Sequence, residues 1–201
     1  MGLFSYNFSV LQVPYPVVLA SGSPRRKELL ASLLGSFEVV PSSVDEDALV
    51  DPDPWVTAQR LAREKALDVS SRYPEALVIA GDTVVALPDR DGWRQLAKPV
   101  DTDDACAMLR ELAGRTHTVI TGVCLVWPDG MSAFMESSKV TFRKLSDDEI
   151  SAYVTTGSPM DKAGAYGLQD ESQSFIVKVE GPVDNVIGLP REKLKEALLS
   201  V

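Results

Sequence analysis

The chain predicts an α/β fold in one domain, and three observations carry that expectation. Apolar runs of strand length alternate with segments of helical period, without internal repeats or low-complexity tracts. No stretch of separating composition divides the 201 residues, enough for one well-cored domain, at most with two lobes about a cleft. The 45% hydrophobic and 24% charged residues are those of an ordinary globular protein.

Residues 1–16 read as a mostly extended N-terminal extension ahead of a domain over 17–201. Val17-Val18-Leu19 predicts a strand, followed by a tight turn and a helix carrying Leu29, Leu30, Leu33 and Leu34, closed by Gly35. Ser23 suits the N-cap and Pro24 the first helical position. A capping box would then place Glu or Gln at position 26. Instead Arg25, Arg26 and Lys27 crowd the positive end of the helix dipole, which favours anions.

"FEVV" reads as a short strand and "PSSVDED" as an acidic loop. Asp53 and Pro54 open a helix to about Tyr73, with an apolar stripe of Ala58, Leu61, Ala62, Ala66 and Val69. Lys65 falls near the middle of that stripe, where it must snorkel or meet an anion. "LVIAGDTVVAL" (77–87) is apolar enough for a strand covered on both faces, yet Asp82 interrupts it beside Gly81. A buried carboxylate is costly unless paired or metal-bound, and the glycine leaves room for a ligand.

"PDRDGW" predicts a hairpin into "QLAKPV", which carries Lys98. A helix over 102–113 turns Met108, Leu109 and Leu112 inward and ends at Gly114. "HTVITGVCLVW" predicts a strand turning at "PDG" into a partner that runs through Phe142. Ser146 and Glu149 form a capping box for a helix ending near Gly157. "PMDKAGAYGLQ" (159–169) is a Gly-rich irregular loop, "SFIVKVEG" a strand, and Pro190 starts a C-terminal helix with Leu194 and Leu198.

A formal net charge of −9 argues against binding duplex nucleic acid or docking on a membrane through a polybasic patch. Cations gathered at one spot of an acidic protein point instead to a small anionic ligand. His117 is the sole histidine, so multi-histidine zinc sites are excluded and any metal, Mg²⁺ or Mn²⁺, is held mainly by oxygen. Cys106 and Cys124 lack metal-ligand spacing and read as reduced thiols. No apolar run is long enough to span a bilayer, the N-terminal stretch lacks signal-peptide features, and Tyr6 breaks a myristoylation pattern. The expectation is a cytoplasmic protein.

The first strand–turn–helix is a phosphate cradle without a Walker or Rossmann fingerprint. Lys65, Lys98 and Lys162 are further cations in unusual settings, and Glu46, Asp82 and Asp161 are acids at loops or strand ends. Cations that neutralise phosphate, acids that hold a divalent ion and one acid that deprotonates water suit metal-assisted hydrolysis of a phosphoanhydride.

"SGSPRRKELL", "REKA", "GDTVV", "KP", "TGV" and "DKAGAYGLQ" occur in the order and spacing of the Maf family, which the chain resembles from about residue 17 to 199. These are nucleoside triphosphate pyrophosphatases, first named for septum formation. The resemblance implies a long twisted mixed sheet flanked by helices around a central cleft, related to that of inosine triphosphate pyrophosphatases. It implies hydrolysis of a nucleoside triphosphate to the monophosphate and pyrophosphate, with a divalent cation, and members that often pair as homodimers. Asp82 matches the general base of the G-[AS]-D-T motif, although here the order is Ala80-Gly81. Either the loop is one residue shorter or the two small residues have exchanged places; exchange is the reading adopted.

By the same matching, Ser21, Arg25, Arg26, Lys65, Lys98 and Lys162 would bind phosphate. Glu46, Asp82 and Asp161 would serve the metal. Arg25, Thr83 and Gln169 occupy the positions that separate branches by base, and they resemble the dTTP/UTP branch. A Gln amide offers both a donor and an acceptor to a uracil edge. Two rivals remain: the same chemistry on 7-methyl-GTP or another modified base, and a non-catalytic nucleotide-binding regulator of cell division.

Overall fold

The computed structural model describes residues 11–201 as a seven-stranded mixed sheet flanked by helices. The strands are β1 (Val17–Leu19), β2 (Glu38–Val39), β3 (Leu77–Asp89), β4 (Gly92–Leu96), β5 (Thr116–Trp127), β6 (Gly130–Phe142) and β7 (Ile176–Glu180). The helices are α1 (Pro24–Ala31), α2 (Pro54–Ser70), α3 (Thr102–Leu112), α4 (Asp147–Thr155), α5 (Val183–Ile187) and α6 (Arg191–Leu198). Strand order is β2-β1-β3-β5-β6-β7, with β4 also on β3. β1 pairs in parallel with β2 and β3, and the remaining pairs are antiparallel.

Alternation along β3 distributes its residues between two faces. On one face Val78, Ala80, Val84 and Ala86 meet α2 through Ala58, Ala62, Ala66 and Val69. On the other, Leu77 and Ile79 pack with Leu29, Leu30, Leu194 and Leu198 of α1 and α6. Farther along that face Val85 and Leu87 join α3, α4 and the loop that follows, through Leu109, Ile150, Tyr153 and Tyr166. Burial on both faces is what the nearly unbroken apolar run requires.

One edge of β3 is interrupted. β5 pairs with it continuously from Val78 to Ala86. The opposite edge pairs with β1 at 77–79 and with β4 only from Val85 onward. The backbone between, through Gly81, Asp82 and Thr83, faces a fork in the sheet. The register against β5 runs unbroken through Ala80, Gly81 and Asp82.

Several local expectations hold at the level of atoms. Ser23, Asp53 and Ser146 cap α1, α2 and α4, the last within a complete capping box. α1 departs from expectation, ending at Ala31 rather than running to Gly35. The Ser32 hydroxyl donates to the Leu29 carbonyl at 2.6 Å, and the Leu33 amide bonds one residue tighter than an α-helix, to Leu30. α5 has no counterpart in the sequence reading, because five residues are too short to show a period.

Two short 3₁₀ turns, Ser158–Asp161 and Ala163–Ala165, build the first half of the 159–169 loop, the second kinked at Gly164, whose φ of 69° disfavours a side chain. Part of the expected extension docks onto the domain: Leu11, Val13 and Tyr15 pack against the α1/α6 cluster, and the Leu11 amide bonds to Leu33 O. Residues 1–10 of that extension lie outside the described residues. No helix among the described residues is long and apolar enough to cross a membrane.

Candidate active site

A cavity of about 760 Å³ opens at the fork, where residues from both faces of β3 reach a common space. Asp82 points towards α2, and Lys65, on the buried stripe of α2, points back. Its Nζ lies 2.6 Å from Asp82 Oδ1 and 2.8 Å from Glu46 Oε1. The Lys65 and Asp82 side chains are only 8% and 10% exposed, so the pairing is what makes either charge tolerable there. Burial alone would raise the Glu46 carboxyl, but the Lys65 hydrogen bond and the charges of Lys65, Lys98 and Arg26 hold it below its ordinary value.

The helix approaches this closely because Gly122, directly across from Asp82 on β5, has no side chain. A Cβ there would lie 2.3 Å from the Ala58 carbonyl oxygen. Gly81 serves the other face, where a Cβ would meet Arg26 Nε at 3.4 Å. The glycine in the unusual position thus lies against the arginine of the first turn.

The three cations at the start of α1 diverge. Lys27 makes no ion pair among the described residues, and Arg25 donates to Asp161 Oδ2 at 2.8 Å and to its carbonyl at 3.3 Å. Arg26 turns beneath the sheet edge. Its Nε donates to Gly188 O at 2.9 Å, Nη1 to Ser21 Oγ at 3.3 Å and Nη2 to Thr83 Oγ1 at 3.0 Å. All three acceptors are neutral. Among the described residues no carboxylate bonds the guanidinium directly, and two of its five N–H groups are left for an incoming acceptor. Burial lowers its pKa, Arg25 adds to that, and Asp82 and Glu46 oppose it. Lys98 lines the same cavity, exposed, with no ion pair among the described residues.

Ser21, Arg25, Arg26, Glu46, Lys65, Asp82, Thr83, Lys98, Asp161 and Lys162, all expected from sequence, therefore border one cavity. Two of these, and Gln169, have settings of their own. The Lys162 ammonium bonds within its own loop, to Ser158 O, to Asp161 at 2.8 Å and to Asp170 at 3.3 Å. Asp161, held by Arg25 and Lys162, does not join Glu46 and Asp82 in a metal-sized cluster. Gln169 is exposed and lies outside the cavity wall, which its neighbours Gly167 and Leu168 line.

No group of three His, Cys, Asp or Glu side chains placed for a metal ion occurs among the described residues. Glu46 and Asp82 nevertheless converge on one cationic point, the Lys65 ammonium. Two hard carboxylates at one spot fit Mg²⁺ or Mn²⁺, which takes one or two carboxylates and fills its shell with water and substrate phosphate.

The sequence reading missed Thr121, Gly122, Asn185 and Gly188, all of which hold the site. Thr121 and Gly122 belong to the quoted "TGV". The available signal was their position opposite Thr83 and Asp82, which needs the strand register.

The family model described as "Maf-like protein" matches residues 16–201. Among similar curated proteins, the dTTP/UTP pyrophosphatase of Geobacillus sp. (strain WCH70) is 44% identical over 174 residues, 87% of this chain and 91% of that one. The dTTP/UTP pyrophosphatase of Pyrococcus furiosus is 41% identical over 176 residues, 87% and 89% of the two chains. A solved structure of a HAM1 protein from Coxiella burnetii superposes with a TM-score of 0.51 at 13% identity, over 93% of this chain and 100% of that one, a likeness of fold.

Proposed function

This chain belongs to the Maf family, and on that premise we propose that it hydrolyses dTTP and UTP to the monophosphate and pyrophosphate, clearing surplus or modified pyrimidine nucleotides. The single observation that carries the reading is the buried Lys65–Asp82 pair at the fork, facing an Arg26 that bonds directly to no carboxylate among the described residues. A structural ion pair would need no open cavity and no such cation beside it.

In the proposed reaction Asp82 takes a proton from water as the oxygen attacks the α-phosphorus. The bond to the bridging oxygen breaks, and pyrophosphate leaves with the electron pair. Lys65 occupies Oδ1 of Asp82, leaving Oδ2 with no protein partner among the described residues and open to the water. Arg26 and Lys98, joined by the Ser21 hydroxyl, stabilise charge that develops on the phosphate oxygens. A divalent cation held by Glu46 and Asp82 would neutralise the phosphates and polarise them towards attack. Arg25 borders the base end of the cavity through its tie to the 159–169 loop, and Gln169 would have to turn inward to read a uracil edge.

A panel of nucleoside triphosphates at equal concentration, with Mg²⁺ or Mn²⁺, tests the proposal when scored for pyrophosphate rather than orthophosphate. dTTP and UTP are expected to lead, and Asp82→Asn to lose at least about 100-fold in turnover while staying folded. Preference for 7-methyl-GTP would overturn the assigned base. Binding without pyrophosphate release would favour the nucleotide-binding regulator.

A further inference from the structure

Four elements are joined beneath the cavity by a chain of hydrogen bonds whose direction is determined. Thr121 Oγ1 lies 2.9 Å from the backbone oxygen of Asn185. That carbonyl can only accept, so the Thr121 hydroxyl proton is committed to it. The bond between Thr121 and Thr83 hydroxyls, 3.0 Å long, must then be donated by Thr83. Thr83 in turn accepts from Arg26 Nη2 at 3.0 Å. The order is Arg26 to Thr83 to Thr121 to Asn185, from α1 through β3 and β5 to α5. The end of α5 closes the ring, because Gly188 O receives Arg26 Nε.

Thr121 and Asn185 are both fully buried, so this relay is fixed at its far end by packed backbone. The Asn185 side chain adds anchorage by donating to Val119 O at 3.1 Å and Ser138 Oγ at 3.0 Å. Thr83 therefore has no proton left for a nucleobase. Its side chain leaves β3 on the face opposite Asp82 and faces the arginine.

We propose that Thr121 is a positioning residue, which through Thr83 holds the Arg26 guanidinium at the phosphate end of the cavity. The proposal rests on the reading of Arg26 as a phosphate ligand. It also assigns Thr83 an indirect influence, exerted through that cation and not by touching the base. A hydroxyl at 121 is required because only a group that accepts from one neighbour and donates to another can keep the relay continuous. Serine meets that requirement and valine, of nearly the same shape as threonine, does not.

A double-mutant cycle separates this role from simple packing. Thr121→Val should lower kcat/KM for dTTP about tenfold, the upper scale of one neutral hydrogen bond, while Thr121→Ser stays within about twofold of the wild type. Thr83→Val breaks the same relay at a less buried point and should match Thr121→Val should the latter fold poorly. In an Arg26→Gln background the cost of Thr121→Val should shrink to within about twofold. Equal loss in both backgrounds, or none in the wild type, overturns the proposal. Hydrogen exchange of the Arg26 Nε–H, followed by ¹⁵N NMR without substrate, gives a readout independent of turnover. It should quicken in Thr121→Val and not in Thr121→Ser; an unchanged rate in Thr121→Val overturns the positioning role. Full activity of Arg26→Gln would refute the phosphate reading, and the exchange measurement would still decide whether Thr121 holds the guanidinium.

Discussion

Gly122→Ala places a methyl group where the backbone of α2 presses on β5. The new Cβ would lie 2.3 Å from the Ala58 oxygen, 2.6 Å from its carbonyl carbon and 3.0 Å from the Gln59 nitrogen. None of these is the end of a flexible side chain, so the helix itself must retreat, by about 1 Å before ordinary contact distances return. Lys65 lies two turns along the same buried stripe. A rigid shift of that size would open its 2.6 Å bond to Asp82 to about 3.6 Å, beyond hydrogen-bonding range. Overpacking of this kind costs about 1–3 kcal/mol, a loss of several degrees in Tm for a chain of this length. Misplacing the Lys65–Asp82 pair by about 1 Å should cost roughly 100-fold in turnover. Thermal melting followed by circular dichroism, with pyrophosphate release from dTTP measured well below the transition, checks both. A folded variant with kcat/KM within about twofold of the wild type would refute the claim that the glycine sets the height of the helix above the Asp82 carboxylate.

Lys65→Met strands the Asp82 carboxylate without its cation and should cost about 3 kcal/mol, whereas adding Asp82→Asn should restore much of that stability in the inactive double variant. Urea midpoints that are no higher for the double than for the single variant would contradict the pairing. His117 is buried with Nε2 2.7 Å from the Tyr166 hydroxyl and Nδ1 without a partner among the described residues, and burial pushes its pKa down to about 3. The unfolded chain binds that proton near pH 6.5, so stability is fully present above that value and is lost as pH falls towards 3. By pH 5 the loss amounts to about 2 kcal/mol. His117→Gln should remove this share of the difference between urea midpoints at pH 7 and pH 5, and an unaltered difference would exclude His117 as its source.

The strands and helices legible in the sequence were those long enough to repeat a period. α2 showed both its buried face and the anomaly within it, because a lysine among alanines has few structural excuses. Asp82 stood out for the same reason within an apolar strand. Partners distant in sequence were not legible. That Arg26 reaches Gly188, 162 residues away, depends on where α5 lies, and α5 is too short to announce itself. Thr121 was silent because threonine is also an ordinary strand former. The 159–169 loop was recognised as special, but which of its polar groups face outward is decided by its turns. Lys162 bonds to Asp161, Asp170 and Ser158, and Gln169 is left exposed.

The interrupted edge of β3 has a mechanical corollary. β3, β5 and β6 form an uninterrupted three-stranded ribbon that passes behind the gap, while β1 and β4 are separate flaps attached to either end of β3. A ribbon of this kind twists more readily than it shears, since shear would break its ladder one rung at a time. Changes in the width of the mouth should therefore take the form of torsion about the ribbon axis, turning one flap against the other around a nearly stationary Asp82.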